Sequence, residues 1–270
     1  MIPGYLDKLF GLKGKVALVT GGRQGIGQVI ARELARAGAD IAVFNRHEAS
    51  ETVDIITKEG GKCISVTGDV TNPDDVQACV DKVVETYGHI DILVNDAGVC
   101  YHKSAIEETN NEIEPVAATL DDWKKVININ LTGTYIVSCA VAKAMIAKGT
   151  KGSIVNIASL SAHIVNVPQR QAAYNASKAG VIQMTKSLAI EWVDKNIRVN
   201  SISPGYIATP MSIDPNFVDP RMMEAWKPLW PMHRMAPPEE LCGAIIWLCG
   251  ENSAFTTGED IVIDGGYSLV

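Results

Sequence analysis

The feature that most restricts this chain is an apolar run that ends in a glycine-rich turn. Lys15-Val16-Ala17-Leu18-Val19-Thr20 shows no polar alternation, which suits a strand covered on both faces, as in a parallel sheet. Gly21-Gly22-Arg23-Gln24-Gly25-Ile26-Gly27 comes next, and Ile30, Leu34 and Ala37 then recur at helical spacing up to Gly38. Glycines between a strand and a helix let the backbone approach an anion, and the free N–H groups of the helix start attract it. The stretch reads as a cradle for a dinucleotide pyrophosphate.

The same pattern recurs. Ile41–Phe44, Ile64–Val66, Asp91–Asn95, Ser153–Ile157, Ile197–Ile202 and Asp260–Asp264 read as six more strands. Helices are predicted over 48–59, over 73–87 with Pro73 near its start, and through Tyr174 to Trp192. Alternation of this kind implies βαβ crossovers. The expected fold is α/β, a Rossmann-type doubly wound parallel sheet of seven strands flanked by helices on both faces. No linker or repeat interrupts it, so residues 1–270 are read as a single domain, with a lid at about 206–235.

Ligands of such sheets bind beyond the carboxyl ends of the strands. Here those ends carry the glycine turn, Asn45-Arg46, Asp69-Val70, Asn95-Asp96-Ala97-Gly98, Ser159 and Ser203-Pro204-Gly205, polar or glycine in every case. Tyr174 and Lys178 stand four residues apart, so a helix places both on one face. An ammonium near a phenol lowers its pKa from about 10, toward proton exchange at neutral pH.

A net charge of −7 and a pI of about 5.3 speak against nucleic acid or anionic membrane as the main partner. No apolar run reaches the length of a membrane span, and the first seven residues lack the pattern of a signal peptide. Six cysteines without a C-x-x-C pair read as reduced core thiols, and a cytoplasmic protein is expected. The histidines show no metal spacing, so no catalytic metal is expected.

Thr20-Gly21-x-x-x-Gly25-x-Gly27, Asn95-Asp96-Ala97-Gly98, Ile129-Asn130-Leu131-Thr132-Gly133, Ser159, Tyr174-x-x-x-Lys178 and Pro204-Gly205 together resemble the short-chain dehydrogenase/reductase family over nearly the whole chain. One departure is Asp96, where that family usually has Asn; the position is read as structural. The resemblance implies Tyr174 as general acid/base, with Lys178 lowering its pKa and holding the nicotinamide ribose. Ser159 would bind the substrate oxygen, and Asn130 would hold a relay water. Ser161 competes with Ser159, since the usual family spacing to the tyrosine is shorter; Ser159 is preferred because it follows the strand directly. Cofactor contacts are implied at Gly21, Arg23, Gln24, Gly25, Ile26, Gly27, Asn45, Arg46, Asp69, Val70, Asn95, Ala97, Gly98, Tyr174, Lys178, Pro204, Gly205, Ile207 and Thr209, with the Asp69 carboxylate on the adenine. A homotetramer built on helices beginning near Leu120 and Gln171 is implied as well.

NAD enzymes of this kind carry an acidic residue after the second strand. This chain has Asn45-Arg46 there and no carboxylate before Glu48. Arg46, with Arg23, suits a 2′-phosphate, so NADP(H) is favoured over NAD(H). His163–Gln171 is rich in hydrogen-bonding side chains, which suits a hydroxyl-rich ligand and resembles the ketose reductases and polyol dehydrogenases of the family. The expected reaction is hydride transfer between NADP(H) and a secondary alcohol or ketone, a ketose/polyol pair. The Met and Trp residues of 206–235 (Met211, Phe217, Met222, Met223, Trp226, Trp230, Met232 and Met235) leave a hydroxysteroid or other bulky alcohol as the alternative, unless they pack the lid down. A non-catalytic dinucleotide sensor is the alternative from another class; it would not need Tyr174 and Lys178. Segment 101–119, with Glu107, Glu108, Glu112 and Glu114, reads as a solvated loop, and Cys100 and His102 as pocket or packing residues.

Overall fold

The computed structural model describes residues 4–106, 117–214 and 218–270. Glu107, Glu108, Glu112, Glu114 and Phe217 lie outside the described residues. Seven parallel strands form one sheet: β1 Val16–Thr20, β2 Asp40–Asn45, β3 Cys63–Thr67, β4 Ile92–Asn95, β5 Gly152–Ile157, β6 Ile197–Pro204 and β7 Asp260–Ile263. Their spatial order is β3-β2-β1-β4-β5-β6-β7. All seven expected strands are present. β6 runs two residues further than expected, and that extension carries Ser203 and Pro204 toward the site.

The helices are α1 Tyr5–Phe10, α2 Gly25–Arg36, α3 Ser50–Lys58, α4 Pro73–Tyr87, α5 Leu120–Ile127, α6 Thr134–Lys148, α7 Ala172–Trp192, α8 Pro210–Ile213, α9 Pro220–Trp226 and α10 Glu239–Cys249. Alternate residues of each strand feed opposite layers. Ala17 and Val19 of β1 join Ile30 and Leu34 of α2, Ile56 of α3 and Leu241 and Ile245 of α10. Val16 and Leu18 join Val76 and Val83 of α4, Val141 and Met145 of α6 and Leu188 of α7. This two-sided burial is why β1 is apolar from Val16 to Val19. α10 was not anticipated, although Leu241, Ile245 and Leu248 stand at helical spacing.

One expectation needs correction. α5 and α6 join through a π-helical turn, Asn128–Gly133, into a 29-residue run that is long and apolar enough to cross a membrane. Lys124, Lys125 and Lys143 interrupt its sequence, which conceals the length. In the fold its apolar face packs on the sheet and α4, as a core helix does.

The chain builds outward from β1 to β3, then returns to place β4 on the other side of β1. Thr20 and Asn95 are register partners across that reversal. The Thr20 hydroxyl accepts from the N–H groups of Asp96 and Ala97, both at 3.1 Å. This pins the two loops that flank the crevice.

Candidate active site

The glycine turn is built for close approach. Gly21 has φ +73°, and a Cβ there would lie 2.9 Å from the Ala97 nitrogen. A Cβ on Gly27 would meet the Gly21 carbonyl oxygen at 2.6 Å and Asp96 Oδ2 at 2.7 Å. α2 has no side-chain cap and no acidic residue in its first turn. The N–H groups of Gly25 and Ile26 at its start are thus open to an anion, while that of Gly27 meets the Asp96 carboxylate. Thr52 of α3, which the motif reading missed, holds the turn from below by donating to the Gly22 carbonyl at 2.8 Å. Its signal in the sequence is only a buried threonine on a helix.

Asn45 accepts from the Arg23 N–H at 3.0 Å, and its own Nδ2 is buried without a partner. Arg23 and Arg46 stand exposed beside it, and neither is in an ion pair among the described residues. An orphaned donor next to two guanidiniums fits the ribose end of a dinucleotide. Ile207 and Thr209 follow β6, and the Thr209 side chain lies 3.8 Å from where a Gly25 Cβ would stand.

Three residues expected to touch the cofactor also hold contacts within the protein. Asn95 points inward: its Nδ2 donates to Ser138 Oγ and Asn156 Oδ1, both at 2.9 Å, so the side chain ties β4 to β5 and α6. Asp69 Oδ1 already accepts the N–H and hydroxyl of Thr71, each at 2.8 Å. Val70 packs against Gly133 of the π-helical turn, where a Cβ would be 2.8 Å away.

Tyr174 and Lys178 lie on one face of α7, as their spacing requires. Lys178 Nζ stands 5.7 Å from the centre of the Tyr174 ring and donates to the Ile157 carbonyl at 2.6 Å. Burial pulls the Lys178 ammonium down to about 8, against the carboxylate of Asp96. Burial likewise holds the Tyr174 phenol above its ordinary value, while its hydrogen bond with Ser159 acts to lower it. The depression expected from Lys178 is opposed by this burial. The ammonium is aimed at a backbone carbonyl, and removal from water dominates. Asp96 is pushed up to about 7 by burial, with Lys178 and the Gly27 N–H pulling the other way. It stands between the cradle and α7, which a purely structural role did not foresee.

The choice between the two serines turns on what each hydroxyl meets. Ser159 caps the turn after β5 by accepting from the Ser161 N–H at 3.1 Å, and it also reaches Tyr174. Ser161 Oγ faces away, bonded to Asn166 and Gln171. Asn130 is fully buried in the π-helical turn. Its Oδ1 accepts from Val99 N–H at 2.8 Å, and its Nδ2 donates to the Val99 carbonyl at 2.9 Å and Ser177 Oγ at 3.1 Å. The side chain thus clamps the β4 loop to α7.

The predicted polar loop folds inward: Asn166, Gln169 and Gln171 are buried beside Ser161. The lid's tryptophans and Met222 are spent on packing, while Met211 and Met232 stand exposed. Met222, Trp226 and Trp230 form a small core with Leu160, Val218 and Tyr267. Cys100 donates to Gln171 at 3.3 Å, and His102 meets the edge of Trp226, so both line this region. Among the described residues no group of three His, Cys, Asp or Glu side chains could hold a metal ion.

Residues 21–268 match a family model described as enoyl-(acyl carrier protein) reductase. The chain is 39% identical to a solved short-chain type dehydrogenase/reductase from Mycobacterium marinum, with a TM-score of 0.89 over 98% of this chain and 99% of that one. It is a short-chain dehydrogenase/reductase. A sorbose reductase from Candida albicans is 41% identical over 270 residues, 99% of this chain and 92% of that protein. An NADP-dependent mannitol dehydrogenase from Hypocrea jecorina is 41% identical over 266 residues, 96% and 94% of the two chains. As a member of this family the protein is an oxidoreductase acting on CH–OH groups and the corresponding carbonyls.

Proposed function

We propose that this short-chain dehydrogenase/reductase interconverts a ketose and its polyol with NADP(H). The observation that carries this reading is the placement of Ser159 and Tyr174 beside a wall of buried amides and hydroxyls, with the lid's aromatic residues already packed down. Such a wall favours a ligand that satisfies hydrogen bonds and penalises one that leaves them unmade. The sorbose and mannitol enzymes at 41% identity support the same class.

When bound, the nicotinamide supplies or accepts the hydride. The cradle at Gly21–Gly27 would hold the pyrophosphate, and Asn45, Arg23 and Arg46 would hold the 2′-phosphate end. In the reducing direction Tyr174 and Ser159 donate hydrogen bonds to the substrate oxygen and stabilise the developing alkoxide. Tyr174 then gives up its proton, which suits a phenol held protonated by burial. Lys178 supplies a positive charge to the phenolate left behind. Asn130 acts by keeping the β4 loop and α7 in register.

The protein is read as cytoplasmic. Exposed Leu120, Trp123, Tyr135, Ile146, Ile190 and Val193 on α5, α6, α7 and the turn after it support a homotetramer formed through these helices. Light scattering of the purified protein checks that assembly. Nicotinamide absorbance with fructose, sorbose, xylulose and ribulose, beside a steroid ketone and repeated with NADH, tests the activity. Turnover on the steroid alone, or a preference for NADH, would overturn the reading.

A further inference from the structure

Five side chains behind Ser159 close into a ring of hydrogen bonds. Ser161 Oγ donates to Asn166 Oδ1 at 2.7 Å, and Asn166 Nδ2 donates to the Tyr206 hydroxyl at 3.3 Å. Tyr206 donates to Gln169 Oε1 at 3.2 Å, and Gln169 Nε2 donates to Gln171 Oε1 at 3.1 Å. Gln171 Nε2 returns to Ser161 Oγ at 3.0 Å. Every donor points the same way round. Hydrogen bonds arranged in one sense polarise one another. Reversing the sense would require all three amides to flip, because Ser161 and Tyr206 have one proton each.

The direction is locked from outside. Gln171 Nε2 also donates to Asn175 Oδ1 at 3.0 Å, and Cys100 donates to Gln171 Oε1 at 3.3 Å, which fixes the two ends of that amide. The Tyr206 ring is held between Trp226 at 5.0 Å, Trp230 at 5.6 Å and Tyr267 at 5.2 Å, so its hydroxyl cannot swing away. Burial keeps that phenol protonated above its ordinary range. The ring touches the reacting centre through Ser161, whose N–H donates to Ser159 Oγ. It also adjoins Tyr174 through Gln171, the residue before α7.

We propose that this ring is the specificity-determining element of the site, presenting pre-oriented amides and a phenol to the substrate hydroxyls beyond the reacting carbonyl. The proposal rests on the ketose/polyol reading. Asn166 and Gln169 each keep a second amide N–H that the ring does not use. A ring of fixed sense presents these as donors, where freely flipping amides would present either end. A ketone with no distal hydroxyls gains nothing from them.

The test compares kcat/KM for a ketose with that for hydroxyacetone, which has the carbonyl and one adjacent hydroxyl but nothing beyond. Tyr206→Phe opens the ring and keeps the aromatic packing; Gln169→Leu opens it on the other side. Each variant is expected to lower the ketose-to-hydroxyacetone ratio of kcat/KM by about 10- to 100-fold, chiefly through KM for the ketose. The double variant is expected to be no worse than either single one, since both break the same ring. NADPH affinity, followed by nucleotide fluorescence, should not follow the loss. An equal fall on both substrates would reduce the ring to a support for Ser159 and overturn the proposal, as would an unchanged ratio or additive losses. A wild-type enzyme that reduces hydroxyacetone but no ketose fails earlier, on the ketose/polyol reading itself.

Discussion

Replacing Asn130 by alanine separates a structural clamp from a catalytic group. The side chain satisfies both polar groups of the Val99 peptide positions and one bond to Ser177. Alanine leaves the Val99 N–H and carbonyl without their partner, whereas Ser177 Oγ keeps its bond to the Tyr174 carbonyl at 2.7 Å. An unsatisfied buried backbone group costs about 1–3 kcal/mol, and the Val99 groups are part-buried, so the two together give about 1–4 kcal/mol. At roughly 2–4 °C per kcal/mol for a chain of this size, the melting temperature should drop by about 2–16 °C. Asn130→Asp keeps the acceptor for Val99 N–H but sets a buried carboxylate oxygen against the Val99 carbonyl, so a drop at least as large is expected. Far-UV circular dichroism melts of the three proteins at one scan rate read the effect, with NADPH binding measured alongside. Lost turnover with an unchanged melting temperature would refute the clamp and assign Asn130 to the proton relay.

Tyr174→Phe should abolish turnover while NADPH affinity is retained; full activity would remove Tyr174 from the chemistry. Arg46→Asp should shift the ratio of kcat/KM for NADPH over NADH toward NADH by about 10-fold or more, since a charge-assisted bond to a phosphate becomes a repulsion; an unchanged ratio would show that Arg46 is only a solvated charge. Asp96 carries a pKa raised from 3.8 to about 7, so the folded protein holds more protons than the unfolded chain between those values. Its contribution to stability is complete below about 4 and is lost as pH rises through about 7. Denaturant midpoints across that range should show this loss in the wild type and not in Asp96→Asn; identical profiles would mean that Asp96 titrates normally.

The legibility of this chain followed the range of the interactions involved. Each strand and the glycine turn could be read because burial on two faces and close backbone approach act on adjacent residues. The Tyr174–Lys178 face could be read because a helix converts a spacing of four into proximity. The 29-residue helical run could not, since its lysines hide it and only packing on α4 and the sheet shows which face is covered. Nor could the inward turn of Asn95, whose partners Ser138 and Asn156 stand 43 and 61 residues away.

By itself, then, the sequence determined the sheet, the position of the crevice and the reaction class, through periodicity, turn chemistry and motif order. Tertiary structure decided which serine meets the phenol, how deeply Tyr174 and Lys178 are buried, and that Asn166, Gln169 and Gln171 bond to one another and to Tyr206 about 40 residues away in the chain. Those outcomes depend on how far each side chain is removed from water and on which loops the crossovers bring together. Neither quantity is carried by any local pattern of residues.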